Sequence, residues 1–428
     1  MKKSLYVLVL SLLVLPLALA QTPADALVPN PDLHATLEVW AWQGSGVDTF
    51  ADAEFAEYYP NIQVNYVLRP TGDVYQQIQL AAVAGGGLPD VSNIEDSHLR
   101  QFLELGILHD ITDRALPYVP FMNEFKWRHV EMDGRYYGMP NDSGPVALFY
   151  RRDVFEQAGV NPDDIHTWAD YYDAAQVIMA ETGVPMWQQA TARNSARLFE
   201  ILMWQRGLGY IDEDGAVLLD RDEGILEILE FMGRFWEEGL ALDAEEWTDS
   251  WYRNFADPNV ATHPGAVWMG TFFKSWIAPD AAGQWGVIRL PAWEEGGSRA
   301  SNDGGSSLVI FEESTQKEAA WAYVEFHLGR TASQVQTFIA SDTFPSLETA
   351  YDDPYFDEPD PYYGGQVVRR IFTDVVQEIP EAGIYNVDYQ EMNGLMAEQI
   401  QRFAVGQVSA HDALAAAARE IRSRTGRR

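Results

Sequence analysis

The chain has 428 residues, no cysteine and a formal charge of −35, with 64 Asp and Glu against 29 Lys and Arg. That acidity argues against nucleic acid and anionic membrane surfaces as partners. An apolar fraction of 47% is ordinary for a folded protein, so disorder does not explain the charge, and the length exceeds one compact core and predicts two or more domains.

Residues 1–20 read as a signal peptide. Lys2 and Lys3 form a basic start, Leu5 to Leu19 an apolar run, and Ala18-Leu19-Ala20 a small-x-small cleavage site before Gln21. The run is short for a membrane span, and no second long apolar stretch follows. The expectation is an exported, soluble, periplasmic protein starting near Gln21. Without cysteine it would carry neither a lipid anchor on Cys nor a disulfide, so its core must be large enough to stabilise itself.

From there strands and helices alternate. Leu37, Val39 and Ala41 alternate with Glu38, Trp40 and Trp42, which predicts a strand over 37–42. A helix follows over 47–59, a strand over 61–68 and a helix over 73–84. The Gly-rich run 85-GGGLPD-90 opens a third strand, and a helix over 97–105 ends at Gly106. This alternation predicts a mostly parallel sheet with helices on both faces, and ligands in such sheets sit beyond the carboxyl ends of the strands. The stretch 139-MPNDSGP-145 reads as a first crossing between lobes. A second α/β stretch follows, with helices over 168–180, near 195–208 and over 222–238, and a strand over 265–270. Further junctions fall at 301-SNDGGSSLVIF-311 and from Thr343 to Pro361, before helices over 388–403 and 410–422. Three junctions imply two lobes that exchange chain segments.

The order of motifs resembles the extracellular solute-binding proteins that feed ABC importers, in the branch that includes maltose-binding protein. The matching residues begin with 37-LEVWAW-42, 55-FAEYYPNIQVNY-66 and 88-LPDVSNIED-96, then 137-YGMP-140 and 144-GPVALFYRRDVFEQAGV-160. They continue with 264-PGAVWMG-270, 290-LPAWEEGG-297, 304-GGSSLVIFEESTQKEAAWAYVEFHL-328 and 406-GQVSAHDALAAAAREI-421. The resemblance implies an α/β, two-lobed periplasmic binding protein fold (type II-like), a multi-crossing hinge, and flytrap closure on a ligand. It further implies a binding rather than catalytic role, a membrane permease as partner, and a monomer without cofactor. The expected lobes are 21–141 with about 303–347, and 142–302 with about 348–428. Many relatives carry a lipid-attachment cysteine, which this chain lacks.

Candidate ligand contacts follow from position and chemistry. Trp40 and Trp42 share a strand face: they either cap the core or offer a stacking platform to the C–H face of a sugar ring, with Gln43 beside them for hydroxyls. Glu95 and Asp96 end the third strand, where a carboxylate accepts hydroxyl hydrogen bonds or caps the next helix. Asn141 and Asp142 at the first crossing, and Asn302 and Asp303 at the second, either satisfy turns or face the ligand. Arg193 and Asn194 stand before a helix as donors or caps. The resemblance places residues just past Gly270 in the cleft, which favours Phe272 and Phe273 over Trp268, and it adds Tyr385. Trp247, Trp251 and Trp285 are assigned to packing. No phosphate loop, HExxH pair or nucleophile elbow occurs, and 212-DEDG-215 lacks the next oxygen ligand of a calcium loop, so no metal is expected. The expected ligand is a carbohydrate, a di- or oligosaccharide in preference to a monosaccharide. A secreted glycoside hydrolase, a sensor subunit, or a binder of a polyol or glycerol phosphodiester are the alternatives.

Overall fold

The computed structural model describes residues 21–50, 52–191, 196–381 and 385–428. The signal peptide expected over 1–20 and the donors Arg193 and Asn194 lie outside the described residues. The main sheet contains β1 (Ala35–Trp42), β2 (Ile62–Arg69), β3 (Val91–Glu95), β4 (Gly138–Arg151), β5 (Thr262–Ala266), β6 (Trp285–Arg289) and β7 (Asn302–Ile310), ordered β6-β4-β7-β3-β1-β2 with β5 also on β4. β1 pairs in parallel with β2 and β3, as strand–helix alternation requires. The ladders around β4 and β7 are antiparallel. The reason lies in the chain path: β4 runs from the core that holds Met139 to the core that holds Val146, and β7 runs beside it in the opposite direction.

Buried apolar residues form separate cores. One draws on Leu37, Val39, Ile78, Leu99 and Met139, then on Leu308 to Leu328 and Leu347. The other lobe is a sandwich. On β4, Val146, Leu148 and Tyr150 face one helical layer, with Trp168, Phe199 and Leu414. Ala147 and Phe149 face a second layer, with Trp251, Phe273 and Phe372. Period-two alternation on a strand covered on both sides produces this division, and it is why 146–150 reads as a continuous apolar run.

Three segments lie side by side where the chain crosses. Ser143 N donates to Phe344 O at 3.0 Å and Ser346 N to Asn141 O at 3.3 Å, while β4 pairs with β7 through register shifts between Asn302 and Gly305 and between Ser306 and Ser307. Gly144 packs on Asp303, whose carbonyl oxygen would lie 2.1 Å from any Cβ at position 144. The strand expected over 265–270 ends at Ala266. Val267 N donates to Pro145 O, and the chain then turns into a short helix, so Trp268 leaves the sheet.

Candidate functional site

The site lies at the carboxyl end of β3 and the crossing segments. The helices that frame it are α1 (Thr71–Ala84), α2 (Asp96–Glu104), α3 (Glu124–Val130), α4 (Arg197–Gln205), α5 (Met269–Phe272) and α6 (Tyr389–Ala404). Glu95 precedes α2, and its side chain makes no capping bond. Instead the Tyr75 hydroxyl of α1 accepts from Glu95 N and donates to Glu95 Oε2, both at 3.1 Å. One hydroxyl thereby fixes both the backbone and the carboxylate. His98 stacks on Tyr75 with centroids 4.0 Å apart, and Trp42 meets the same tyrosine edge-on at 6.4 Å. Burial holds His98 down at about 4, so it is neutral in the neutral range. Burial also raises Glu95, against the lowering effect of Tyr75 and Arg197. Glu95 nevertheless keeps 35% of its side-chain exposure. A carboxylate enclosed by protein yet open to water is what the wall of a cleft presents.

Asp96 has a different role. Its side chain is fully buried against the ammonium of Lys126, which also donates to Ser306 O, and Ser307 Oγ donates to Asp96 Oδ1 at 3.2 Å. Gly305, at φ +100, passes so close that a Cβ there would come 2.8 Å from Lys126 Nζ. Asp96 therefore ties α2 to α3 and β7, neither capping α2 nor reaching solvent. Asp142 accepts from Ser306 Oγ, and burial pushes its carboxyl up to about 6.

Across the cluster, Arg197 at the start of α4 donates from Nη1 to both Asp303 oxygens at 2.7 and 2.9 Å. Its guanidinium stands 5.6 Å from the centre of Trp247 and 5.7 Å from that of Trp268. Those two rings are stacked 6.1 Å apart, and Trp268 Nε1 donates to Asp303 O at 3.0 Å. Burial lowers the Arg197 pKa, but Asp303 and Glu246 more than offset this and hold it above its ordinary value. Arg197 retains 36% exposure, so the charge is oriented by two indoles and a carboxylate without being sealed off. Phe272 adds a ring 5.6 Å from Trp268. Tyr385 sits over His129 and Tyr389. Burial and the carboxylates of Glu200, Asp96, Asp303 and Glu95 push its phenol far above the usual range. The two sides also touch: Gln390 Nε2 of α6 donates to Ser97 O at 3.2 Å.

Of the expected contacts, Trp42, Glu95, Asp142, Asp303, Trp268, Phe272 and Tyr385 come together here, and Gln43 is exposed on the loop after β1. Others do not. Trp40 is 7% exposed, with Nε1 bonded to Glu38 and Arg69 over its ring, because its neighbours on that face belong to β1 and β2. Phe273 is fully buried, stacked on Trp285 at 4.8 Å, because the helical turn after Trp268 points it inward. Asn302 uses both ends of its amide on the backbone of Gly144 and Gly304, so it shapes the crossing. Asn141 is buried beside Asn93 and Ser306. Sequence reasoning missed Tyr75, His98, Arg197 and Trp247. Only Arg197 had a local signal, as a basic residue opening an amphipathic helix; the others depend on contacts between distant segments.

The family profile described as "Bacterial extracellular solute-binding protein" matches residues 41–333. The arabinooligosaccharide-binding protein of Halalkalibacterium halodurans is 29% identical over 374 residues, covering 83% of this chain and 82% of that protein. The lactose-binding protein of Rhizobium radiobacter is 28% identical over 372 residues, covering 84% and 86%. Among solved structures, an ABC-transporter-associated binding protein from B. animalis subsp. lactis, in complex with β-1,6-galactobiose, superposes with a TM-score of 0.78 at 27% identity. It covers 91% of this chain and 97% of its own.

Proposed function

Because this chain belongs to the bacterial extracellular solute-binding protein family, we propose that it is the substrate-binding subunit of an ABC-type sugar importer, capturing a di- or oligosaccharide between two lobes and passing it on unaltered. The observation that carries this reading is the polar cluster Glu95–Asp142–Asp303–Arg197, bracketed by Trp42 and Tyr75 on one side and by Trp268, Trp247 and Phe272 on the other. Sugar hydroxyls donate to carboxylates and accept from a guanidinium, while the apolar ring face packs on an indole. The excess of carboxylates disfavours phosphorylated or acidic sugars. Relatives named for arabinooligosaccharide and lactose, and a neighbour holding a galactobiose, support the same ligand class.

In this reading the lobes are 21–141 with about 303–347, and 142–302 with about 348–428, hinged on the three adjacent crossings. Ligand touching both halves favours the closed form only by its extra affinity for it. The closed surface is then read by permease subunits. Residues 1–20 direct export, and the mature chain acts as a soluble monomer.

Thermal melts against a panel of neutral sugars test the ligand class, because a molecule that binds only the folded state raises the melting temperature. A shift of several degrees with one oligosaccharide series is expected, with no new reducing ends after prolonged incubation. No shift across the panel, or cleavage of the sugar, overturns the reading.

A further inference from the structure

The aromatic wall does not end at Phe272. Trp268, Phe272 and Trp276 recur every four residues through α5 and the π-helical turn Phe273–Ile277 that follows it, and residues four apart share a helix face. Their rings stand in single file: 5.6 Å from Trp268 to Phe272 and 5.6 Å again to Trp276. Trp247 stacks on the inner end, and Tyr252 closes edge-on against the outer end at 4.7 Å. The opposite face, with Phe273 and Ile277, is buried.

Two features of this file go beyond packing. Trp276 is 50% exposed and Trp247 43% exposed, at the two ends of the file, and exposed rings joined in one file form the kind of apolar patch that marks a binding surface. Trp247 also stands at φ +63, a left-handed conformation that is unusual for a bulky side chain and found most often where function holds it. Its ring packs on the buried Trp251 at 5.2 Å and also meets Trp268 and Arg197.

We propose that Trp276, with Tyr252, forms an outer sugar subsite, so that the site takes a chain longer than a disaccharide. This rests on the sugar-binding reading above. The inner units meet the Glu95–Asp303–Arg197 cluster, and the chain leaves along Phe272 and Trp276 with its hydroxyl edges in water. Neutral sugar suits the file better than a protein helix. The rings are continuous with the polar cluster, and the indole of Trp268 and the guanidinium of Arg197 are shared between the two.

The test is calorimetric titration of wild type and Trp276→Ala with homologous arabino-, galacto- and gluco-oligosaccharides from one to five units. Wild-type affinity is expected to rise beyond the disaccharide. Trp276→Ala is expected to remove about three- to tenfold of that rise, the value of one stacked ring, while disaccharide affinity and melting temperature hold. Trp276→Phe recovers part of the loss. Equal affinity for all lengths, or an equal loss at all lengths in the variant, overturns the outer subsite and leaves the sugar-binding reading intact. Unchanged titrations with impaired uptake through the permease also overturn it, and assign the file to protein docking. Absence of binding by any saccharide overturns both.

Discussion

Glu95 and Asp96 are neighbours in sequence and opposites in role. The Tyr75 hydroxyl holds Glu95 with its carboxylate partly in water, while Lys126 and Ser307 consume Asp96 within the protein. Glu95→Ala should weaken sugar binding about 10- to 100-fold, since a hydrogen bond to a charged group contributes about 1.5–3 kcal/mol, and calorimetry reads this directly. Lys126→Met should act on stability instead. It leaves a carboxylate buried without its counter-charge, a loss of about 3–5 kcal/mol that urea unfolding of the ligand-free protein would measure.

At the scale of elements, the crossings decide how the halves are joined. β4 and β7 run in opposite directions and come close at Gly144, where the Asp303 carbonyl leaves no room for a side chain. Gly144→Ala must therefore push β7 away and disturb the Arg197–Asp303 pair that hangs from it. We expect both a lower melting temperature and a loss of sugar affinity that Gly86→Ala, in the turn after α1 with nothing within 4 Å of the added Cβ, does not reproduce. Strand-to-helix conversion after Ala266 belongs to this scale too. One residue of helical rotation is what separates Phe272, half-buried beside Trp268, from Phe273, stacked on Trp285.

For the whole molecule, stability is linked to pH through groups the fold encloses. Glu200 accepts from Tyr210, Tyr389 and Asn393 and is pushed by burial up to about 7. Between its ordinary value of 4.5 and 7 the folded chain holds a proton that the unfolded chain has released, so this group favours unfolding as pH rises through that window. His98 and His129, lowered by burial to about 4, have the opposite sign between 4 and 6.5: folded they are neutral while the unfolded chain takes up protons, so their contribution is lost as pH falls. The overall profile mixes the two. The clean measurement is a difference: Glu200→Gln should gain melting temperature relative to wild type between pH 5 and pH 8. A constant gap between the two curves would mean that Glu200 does not change its charge there.

The amino-acid order by itself determined the alternation of strands and helices and the family. These signals are local: period-two and period-four apolar spacing, and Pro- and Gly-rich breaks, persist in any reading of a single segment. It also pointed to the strand ends and junctions at which Trp42, Glu95 and Asp303 were named as candidates, and the resemblance added Phe272. Only the tertiary structure decided which of two adjacent residues faces water, as with Glu95 and Asp96 or Phe272 and Phe273. Only it brought Tyr75, Arg197 and Trp247 to the same cluster. Burial and ion pairing depend on what arrives from elsewhere in the chain, and no spacing along the sequence encodes which distant side chain that will be.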